Sequence, residues 1–521
     1  MKAFLMYRDR DLDLQGDLPP SAAALTQDLG LDILFGAMAA GDRFLLDVAK
    51  KAVLASLDDP EAIRYRQHIL ADCLDQPTVV REVHAIAVEA IEREKRVWGG
   101  MLDRYPESVL RRSVEVLALF VGLLKRLRRI ADERGADFRS EGFGRFFGMI
   151  ATELDDAYLR IVEDHLERLR FQDGVLMSAE LGAANRGTHY VLRRPRDARR
   201  SWRERIALWD RSGYVYQVPD RDQAGFDALT ELTGRGISLA AVALAQSTDH
   251  ILSFFRLLRS ELGFYVGCLN LYEQLAQKGE PTCFAEPLPA GNAMLSARGL
   301  YDVCLSLSVA DRVVGNDVSA DDKALVMITG ANQGGKSTFL RSIGLGQLMM
   351  QCGMFVPAAS FRADVRDGIF THFKREEDAS MRSGKLDEEL SRMSSIVDQM
   401  TPNSLVLLNE SFASTNEREG SEIARQIVRA LLETGIKVAY VTHMFDLAHG
   451  FYRQEMATAL FLRAERESDG RRTFRLIEGE PLPTSYGEDV YRRIFGAVPD
   501  TAPAAATGGV APTRSTFERR M

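Results

Sequence analysis

The stretch Gly330-Ala331-Asn332-Gln333-Gly334-Gly335-Lys336-Ser337 decides the fold, because it fits the phosphate-binding pattern G-x-x-x-x-G-K-[ST]. Glycines in such a loop let backbone N–H groups close around phosphate oxygens, and the following helix presents its positive N-terminal end to them. The short apolar run 324–328 precedes the stretch and is typical of a buried parallel strand, while 338–350 has a helical pattern. This context favours a phosphate-binding loop over a Gly-rich turn.

The loop predicts ATP and Mg²⁺ as cofactors. We expect Lys336 to reach the β- and γ-phosphates and the Ser337 hydroxyl to bind Mg²⁺. The other residues predicted to bind the nucleotide are Gly330, Asn332, Gly334, Gly335 and Thr338.

A second nucleotide motif is predicted at 404–410, where an apolar run ends in Asn409 and Glu410. Polar residues at the carboxyl end of a parallel strand lie where open α/β sheets bind their ligands. Glu410 is predicted to orient or deprotonate the attacking water. Asn409 stands where an acidic partner of Mg²⁺ is usual, and a neutral amide is a weaker ligand for a hard cation. We therefore predict a metal site of Ser337 and Asn409, with slow hydrolysis of ATP.

A third apolar run, 438–441, ends at Thr442 and His443. A histidine there can hydrogen-bond the γ-phosphate or the attacking water. A purely structural histidine is the alternative, but the position after two nucleotide motifs favours a function. Glu410 and His443 are the predicted catalytic residues.

The chain before the phosphate loop is predicted to be mainly α-helical, and the chain after it α/β with a parallel sheet. Apolar residues recur at helical spacing over 25–57, 60–97, 107–134, 147–170 and 226–277. A strand pair is predicted over 174–192, a short strand at 214–218 and a linker at 278–289. We predict a helical region 1–140, a second helical region 141–288 with a small β element, a phosphate-loop NTPase domain 289–497 and a disordered tail 498–521.

Composition narrows the class of protein. A chain of 521 residues with 46% hydrophobic and 27% charged residues suggests a soluble protein of several domains. The net charge of −8 argues against a protein coated in positive charge, although a local basic patch could still bind nucleic acid. Five scattered cysteines indicate reduced thiols. The N-terminus has no signal-peptide pattern and the apolar run 114–124 is short for a membrane span, so we predict a cytoplasmic protein that does not bind a membrane.

The order of these motifs resembles the ATPase domain of the MutS mismatch-repair family, over roughly the last two-fifths of the chain. The family's phosphate loop T-G-x-N-x-x-G-K-S-T corresponds to 329–338, and its Y/F-V-P-A element to 355–358. Downstream, 368–371 resembles the I-F-T strand, 378–384 the D-D-L-A-S-G-x-S loop, 442–447 the T-H-Y-x-E-L motif and 484–487 the closing S-Y-G element. Upstream, 316–317 resembles the element before the phosphate loop, and 250–278 the lever helix. We find no aromatic-x-Glu motif of the kind that reads mismatches.

The resemblance implies an ABC-type ATPase that works as a homodimer, in which a signature loop of each subunit reaches the partner's nucleotide. That loop corresponds to 411–420, with Thr415, Glu419 and Gly420 in register and the G-R-G-T-S-T core altered. The resemblance implies that Ser414, Thr415 and Asn416 of this loop contact the nucleotide of the partner subunit. The helical half would supply levers and a clamp around a ligand. The altered loop and Asn409 suggest that ATP acts mainly to close the clamp.

A basic stretch after the predicted strand pair is the candidate nucleic-acid site. Its arginines offer contacts to phosphates, and Tyr190 and Trp202 beside them offer stacking surfaces. The alternative is a solvated helix face balanced by Asp197, Glu204 and Asp210. The basic cluster 125–129 is interpreted as a plain exposed helix face. The residues predicted to contact nucleic acid are Arg193, Arg194, Arg199, Arg200 and Arg203.

Three hypotheses about function follow. The leading one is an ATP-driven DNA-binding clamp of the MutS type, acting in repair or recombination without the usual mismatch wedge. The second is an ATP-gated assembly factor that grips an RNA–protein particle or another protein. The third is a structural dimer that has lost hydrolysis. Lys336, Glu410 and His443 argue against the third hypothesis, and Asn409 keeps it open.

Overall fold

The N-terminal half of the chain is helical, as predicted. The computed structural model describes residues 1–97, 105–172, 174–185, 187–193, 217–219, 221–291, 293–375, 384–467 and 471–483. Within these ranges the helices of the N-terminal half are α1 (Ala22–Leu29), α2 (Leu31–Ala39), α3 (Arg43–Leu54), α4 (Pro60–Asp75), α5 (Pro77–Arg96), α6 (Pro106–Arg134), α7 (Glu141–Glu153), α8 (Asp156–Arg168) and α9 (Gln223–Gln277).

Three of the predicted helical stretches are divided in the structure. The stretch 25–57 forms α1, α2 and α3, because the chain turns at Gly30 and Gly41, whose φ angles of 69° and 88° lie in the region that favours glycine. The stretch 60–97 breaks before Pro77, whose ring cannot continue a preceding helix. The stretch 147–170 breaks at Asp155, whose side chain caps α8 by accepting a hydrogen bond from the Tyr158 N–H. The predicted helical character of these stretches is confirmed, and the helical spacing did not show where the helices are divided.

Helix α9 is the long axis of the N-terminal half. Its 55 residues give a length of about 80 Å. The helix begins three residues before the predicted stretch 226–277 and ends with it. Its C-terminal half is buried among α2 to α6, with Phe255, Leu258 and Leu262 inaccessible to solvent. Among the described residues it is also the one helix whose length and composition would allow it to cross a membrane, a test that core helices of soluble proteins pass as well.

The C-terminal half is built on a six-stranded sheet. Its strands are β7 (Leu325–Thr329), β10 (Ile369–Phe373), β11 (Leu405–Asn409), β12 (Lys437–Val441), β13 (Ala459–Arg466) and β14 (Arg472–Glu478), in the order β10-β11-β12-β7-β13-β14. All neighbours are parallel except β13 and β14. The helices of this half are α10 (Val303–Ser308), α11 (Lys336–Gln351), α12 (Lys385–Val397), α13 (Glu417–Glu433) and α14 (Phe445–Tyr452). The predicted parallel sheet with helices is confirmed.

Short strands complete the fold. They are β1 (Met177–Leu181), β2 (Gly187–Leu192), β3 (Cys283–Phe284), β4 (Glu286–Leu288), β5 (Leu295–Leu300), β6 (Asn316–Ser319), β8 (Phe355–Val356) and β9 (Ser360–Asp364). The predicted strand pair at 174–192 is confirmed, since β1 and β2 pair antiparallel. The predicted linker 278–289 is wrong, because β3 and β4 lie within it and pair with β8 and β9. Of the predicted strand 214–218, residues 217 and 218 are not in a strand and the rest lies outside the described residues.

The C-terminal end of α11 is anchored in the N-terminal half by a buried arginine. Arg66 of α4 is inaccessible to solvent, and its Nε and Nη1 donate to the carbonyls of Met6 and Cys352 at 2.8 and 3.2 Å. The guanidinium also lies 4.5 Å from the ring centroid of Tyr7. Cys352 directly follows α11. One side chain therefore joins the N-terminal segment, α4 and the helix that begins at the phosphate loop.

We expect Arg66→Ala to lower the free energy of unfolding by about 2–5 kcal/mol, because it leaves two buried carbonyls without their donor and opens a cavity. Urea unfolding followed by circular dichroism measures the change. His68→Ala, at an exposed position of the same helix, is the control and should change the value by less than about 0.5 kcal/mol. Equal stability of the two variants would contradict the anchoring role of Arg66.

Candidate functional site

The phosphate loop connects the central strand β7 to α11. Gly330 and Gly335 have φ angles of 109° and 91°, which side chains rarely allow. The loop also passes so close to β13 that a Cβ at Gly330 would lie 2.8 Å from the Ala464 nitrogen, and one at Gly334 2.7 Å from the Ala464 Cβ. The glycines of the motif are therefore required both by the backbone and by the neighbouring strand.

Lys336 is the first residue of α11 and is buried. Its Nζ donates to the carbonyls of Gly330 and Ala331 at 2.8 and 3.1 Å, so the ammonium lies inside the loop. Burial lowers the pKa of Lys336, and the nearby Glu410 carboxylate partly opposes that effect. The ammonium is held by carbonyl oxygens of the phosphate loop itself.

Ser337 and Asn409 meet at the carboxyl edge of the sheet. The Ser337 hydroxyl donates to Asn409 Oδ1 at 3.0 Å, although the two residues are far apart in the sequence. Asn409 is the last residue of β11, and β12 separates that strand from β7. The structure thus brings the two predicted metal ligands together. Two oxygen donors of this kind suit Mg²⁺, which takes its remaining ligands from phosphate and water.

Glu410 and His443 form a second pair at the same edge. Glu410 Oε1 lies 3.8 Å from His443 Nδ1, which is longer than a direct hydrogen bond. The His443 imidazole is the main cause that holds the pKa of Glu410 below its usual value, and burial opposes it. Glu410 also has a φ of 53°, an uncommon conformation for a residue with a side chain. Its backbone N–H donates to the Val441 carbonyl at 2.8 Å, which ties it to β12.

A cavity of about 370 Å³ opens beside the phosphate loop. Its lining includes Gly335 and Thr338 of the phosphate-loop segment and Phe474 of β14. Asn316 fixes β14 in place, because its amide donates to the Phe474 carbonyl at 3.2 Å and accepts from the Leu476 N–H at 2.7 Å. Sequence reasoning missed Phe474, since nothing in the local pattern of β14 distinguishes this aromatic residue from any other strand residue.

The predicted signature loop leaves the sheet directly after Glu410. Asn416 caps α13 by accepting a hydrogen bond from the Glu419 N–H at 3.0 Å, and Thr415 donates to the Glu419 carboxylate. Ser414 donates to Glu389 Oε1 at 3.0 Å. The three residues predicted to reach a partner subunit therefore lie together, at the N-terminal end of α13.

The predicted nucleic-acid site is described only at Arg193. Its Nε donates to the Ser178 hydroxyl at 2.8 Å, so it lies along the β1–β2 hairpin. The predictions for Arg194, Arg199, Arg200 and Arg203 fall outside the described residues, as do those for 378–383 and 484–487. In the cluster 125–129, Lys125, Arg126 and Arg128 are paired with the carboxylates of Glu163, Glu89 and Asp132. These ion pairs agree with a plain helix face there.

The strand order and the loops are those of a phosphate-loop NTPase domain. Comparison with known proteins identifies the family. Residues 326–507 match the domain described as MutS domain V, and residues 58–278 match the MutS2 N-terminal domain. Two parts of the chain therefore match domains of MutS proteins, and the resemblance predicted from the motifs is confirmed.

Individual relatives match over part of the chain. The DNA mismatch repair protein MutS of Thermotoga neapolitana is 37% identical over 180 residues, which are 34% of this chain and 22% of the relative. The endonuclease MutS2 of Lacticaseibacillus casei is 35% identical over 219 residues, or 41% of this chain and 26% of the relative. The DNA mismatch repair protein MutS of Petrotoga mobilis is 32% identical over 184 residues, which are 35% of this chain and 22% of the relative. The chain thus spans about a quarter of the length of these relatives.

Gly334→Ala is expected to weaken ATP binding by more than about tenfold, because the added Cβ meets Ala464 and the Ala331 carbonyl and displaces the loop. Titration with a fluorescent ATP analogue measures the change in Kd. Gly148→Ala is the matched control, since a Cβ at that glycine of α7 meets no other atom. An unchanged Kd for Gly334→Ala would contradict a loop whose shape depends on contact with β13.

Proposed function

We propose that the chain binds ATP with Mg²⁺ at the carboxyl edge of the six-stranded sheet and hydrolyses it. The observation that carries the proposal is the convergence of three loops at this edge. Ser337 after β7 contacts Asn409 at the end of β11, and Glu410 after β11 contacts His443 after β12. Lys336 lies between them inside the phosphate loop. This is the set of groups that phosphoryl transfer to water requires.

Each group has a part in the proposed reaction. Lys336 exchanges the loop carbonyls for phosphate oxygens and stabilises their charge. Glu410, whose lowered pKa keeps it ionised at neutral pH, orients the attacking water and accepts its proton. His443 holds the Glu410 carboxylate in place and can donate a hydrogen bond to the water or the γ-phosphate.

The two protein groups proposed to bind Mg²⁺, a hydroxyl and an amide, are both uncharged. Ser337 Oγ and Asn409 Oδ1 would hold Mg²⁺, which neutralises phosphate charge when it is bound. A carboxylate at position 409 would bind the cation more tightly than the amide does. We infer from this that hydrolysis is slow and that bound ATP persists.

The cavity beside the loop is proposed to take the adenine base. It adjoins Gly335 and Thr338, so a base placed in it leaves the phosphates within reach of the loop. Phe474 supplies an aromatic surface for the base, and Asn316 fixes the position of that residue.

We further propose that two chains form a homodimer around two ATP molecules. Ser414, Thr415 and Asn416 lie at the N-terminal end of α13, and the positive end of a helix favours a phosphate group. In the dimer this end of α13 would face the partner's nucleotide.

DNA repair is the proposed context, because the similar MutS proteins are named for DNA mismatch repair and the similar MutS2 protein as an endonuclease. The proposed action is that of an ATP-driven clamp on DNA, with the basic stretch around Arg193 as its contact. An ATP-gated factor that acts on an RNA–protein or protein partner is the alternative.

Asn409→Asp is expected to lower the Mg²⁺ concentration that gives half-maximal ATPase rate by about tenfold, because a charged ligand adds about 1–2 kcal/mol to the binding of the cation. Phosphate release measured over a Mg²⁺ titration gives the value. Gln399→Glu adds the same charge at an exposed position and is the control. If both variants respond to Mg²⁺ as the wild type does, Asn409 is not a metal ligand.

Duplex or branched DNA is expected to stimulate the ATPase rate more than RNA does, and Arg199→Glu, Arg200→Glu and Arg203→Glu combined should abolish the salt-sensitive binding of DNA. ATPase assays and fluorescence anisotropy at several salt concentrations measure the two effects. The control combines Arg111→Glu, Arg129→Glu and Arg160→Glu, which place the same charges on exposed faces of α6 and α8. Stimulation by none of the nucleic acids would favour the alternative with a protein partner.

A further inference from the structure

We propose that His372, in β10, is a positioning residue for the catalytic Glu410. The proposal rests on the proposed hydrolysis of ATP, and it assigns a role to a residue that lies outside the three loops of the site. His372 does not touch Glu410 itself. It acts through Ser411 and Phe412, the two residues that directly follow Glu410.

The His372 side chain is enclosed, with 1% of its surface exposed, and both of its ring nitrogens have partners. Nδ1 lies 2.8 Å from the Ser411 hydroxyl, and Nε2 lies 3.0 Å from the carbonyl of Glu389 in α12. The ring also stacks on Phe412, with the ring centroids 5.3 Å apart and an angle of 18° between the planes. One imidazole therefore joins β10, α12 and the segment after Glu410.

The partners of the ring determine which nitrogen carries the proton. A backbone carbonyl can only accept a hydrogen bond, so Nε2 carries the proton and donates it to Glu389. Burial lowers the pKa of His372 to about 4, so the ring is neutral and Nδ1 is an acceptor. The Ser411 hydroxyl supplies the matching proton, which it shares with the His372 carbonyl 2.6 Å away.

The segment after Glu410 needs such support because its backbone is unusual. Glu410 and Phe412 have φ angles of 53° and 64°, in the left-handed region that side chains disfavour. Residues in such conformations keep them only where the surrounding structure fixes them. The stacking on Phe412 and the bond to Ser411 both come from His372, so this side chain contacts two consecutive residues of the segment.

A second contact from α12 reaches the same segment. The Glu389 carboxylate accepts a hydrogen bond from Ser414 at 3.0 Å, while the Glu389 carbonyl holds the His372 ring. Helix α12 is thus attached to the segment at two points, one of them through His372. A shift of α12 would be transmitted to Glu410 by the same contacts.

The effect of His372 should be confined to the hydrolysis step. The phosphate loop follows β7, and two strands, β11 and β12, separate β7 from β10. Loss of the His372 contacts would therefore loosen the segment that follows Glu410, while Lys336 and Ser337 keep their places. A positioning role predicts a lower kcat with an unchanged affinity for ATP.

The test uses His372→Ala, His372→Asn and His372→Gln in the full chain. The Asn oxygen can replace Nδ1 and accept from Ser411, whereas the Gln amide can replace Nε2 and donate to Glu389. Single-turnover hydrolysis gives the rate and titration with a fluorescent ATP analogue gives Kd. We expect His372→Ala to lose at least about tenfold in rate with Kd within about twofold, and His372→Asn to recover more of the rate than His372→Gln.

Two controls separate positioning from a general loss of structure. His84→Ala removes another buried histidine, whose pKa burial also lowers to about 4, and should leave the rate per folded molecule unchanged. In a Glu410→Gln background, His372→Ala should cause no further loss, because its effect runs through Glu410.

The inference would be overturned if His372→Ala kept the wild-type rate. It would also be overturned if His372→Ala lowered the rate of Glu410→Gln as much as it lowers the rate of the wild type. Equal losses in rate and affinity in all three His372 variants would overturn it as well. Absence of hydrolysis in the wild type would instead contradict the proposed function, and this inference with it.

Discussion

The contact between Arg66 and the carbonyl of Cys352 is the constraint on which the rest of the structure depends. Cys352 directly follows the helix that Lys336 begins, so the Arg66 guanidinium lies at one end of this helix and the phosphate loop at the other. The electrostatics agree at both ends, because the C-terminal end of a helix favours a cation and the N-terminal end favours phosphate. Arg66 also holds Met6, so the first residues of the chain and α4 are fixed to the same helix. A movement of the phosphate loop would therefore be transmitted to the helical half through these contacts.

The proposed ATP site at the other end of that helix would hold phosphate through a tightly packed loop and Mg²⁺ through uncharged ligands. Gly330 and Gly334 pack closely against Ala464 of β13, and the Lys336 ammonium lies inside the loop. The metal side, by contrast, is a hydroxyl and an amide, which provide no charge for Mg²⁺. The backbone of Glu410 has a disfavoured conformation and is bound to β12 through Val441, while the residues that follow Glu410 contact β10 and α12. The proposal that ATP is retained and hydrolysed slowly rests on these features together.

The sequence indicates the parts of this structure whose cause is local. The strands β7, β11 and β12 were predictable because a buried parallel strand is an unbroken apolar run, and the phosphate loop because its glycines have a fixed spacing. The divisions of the N-terminal helices were missed, since an amphipathic pattern continues across Gly30 and Pro77 without a change of period. Phe474 and His372 were missed for another reason. Their partners are brought close by the fold, 39 residues apart in the sequence for His372 and Ser411, and no local pattern marks such contacts.

The claim that ATP closes two chains around a composite site is tested most directly by sedimentation velocity of Glu410→Gln. This variant keeps Lys336 and Ser337 to bind ATP and lacks the carboxylate that would hydrolyse it. The account predicts a dimer with ATP and Mg²⁺ and a weaker or absent dimer with ADP and Mg²⁺. Lys336→Ala, which lacks the phosphate-binding ammonium, should sediment alike in both nucleotides. The same sedimentation profile of Glu410→Gln in ATP and in ADP would contradict the account.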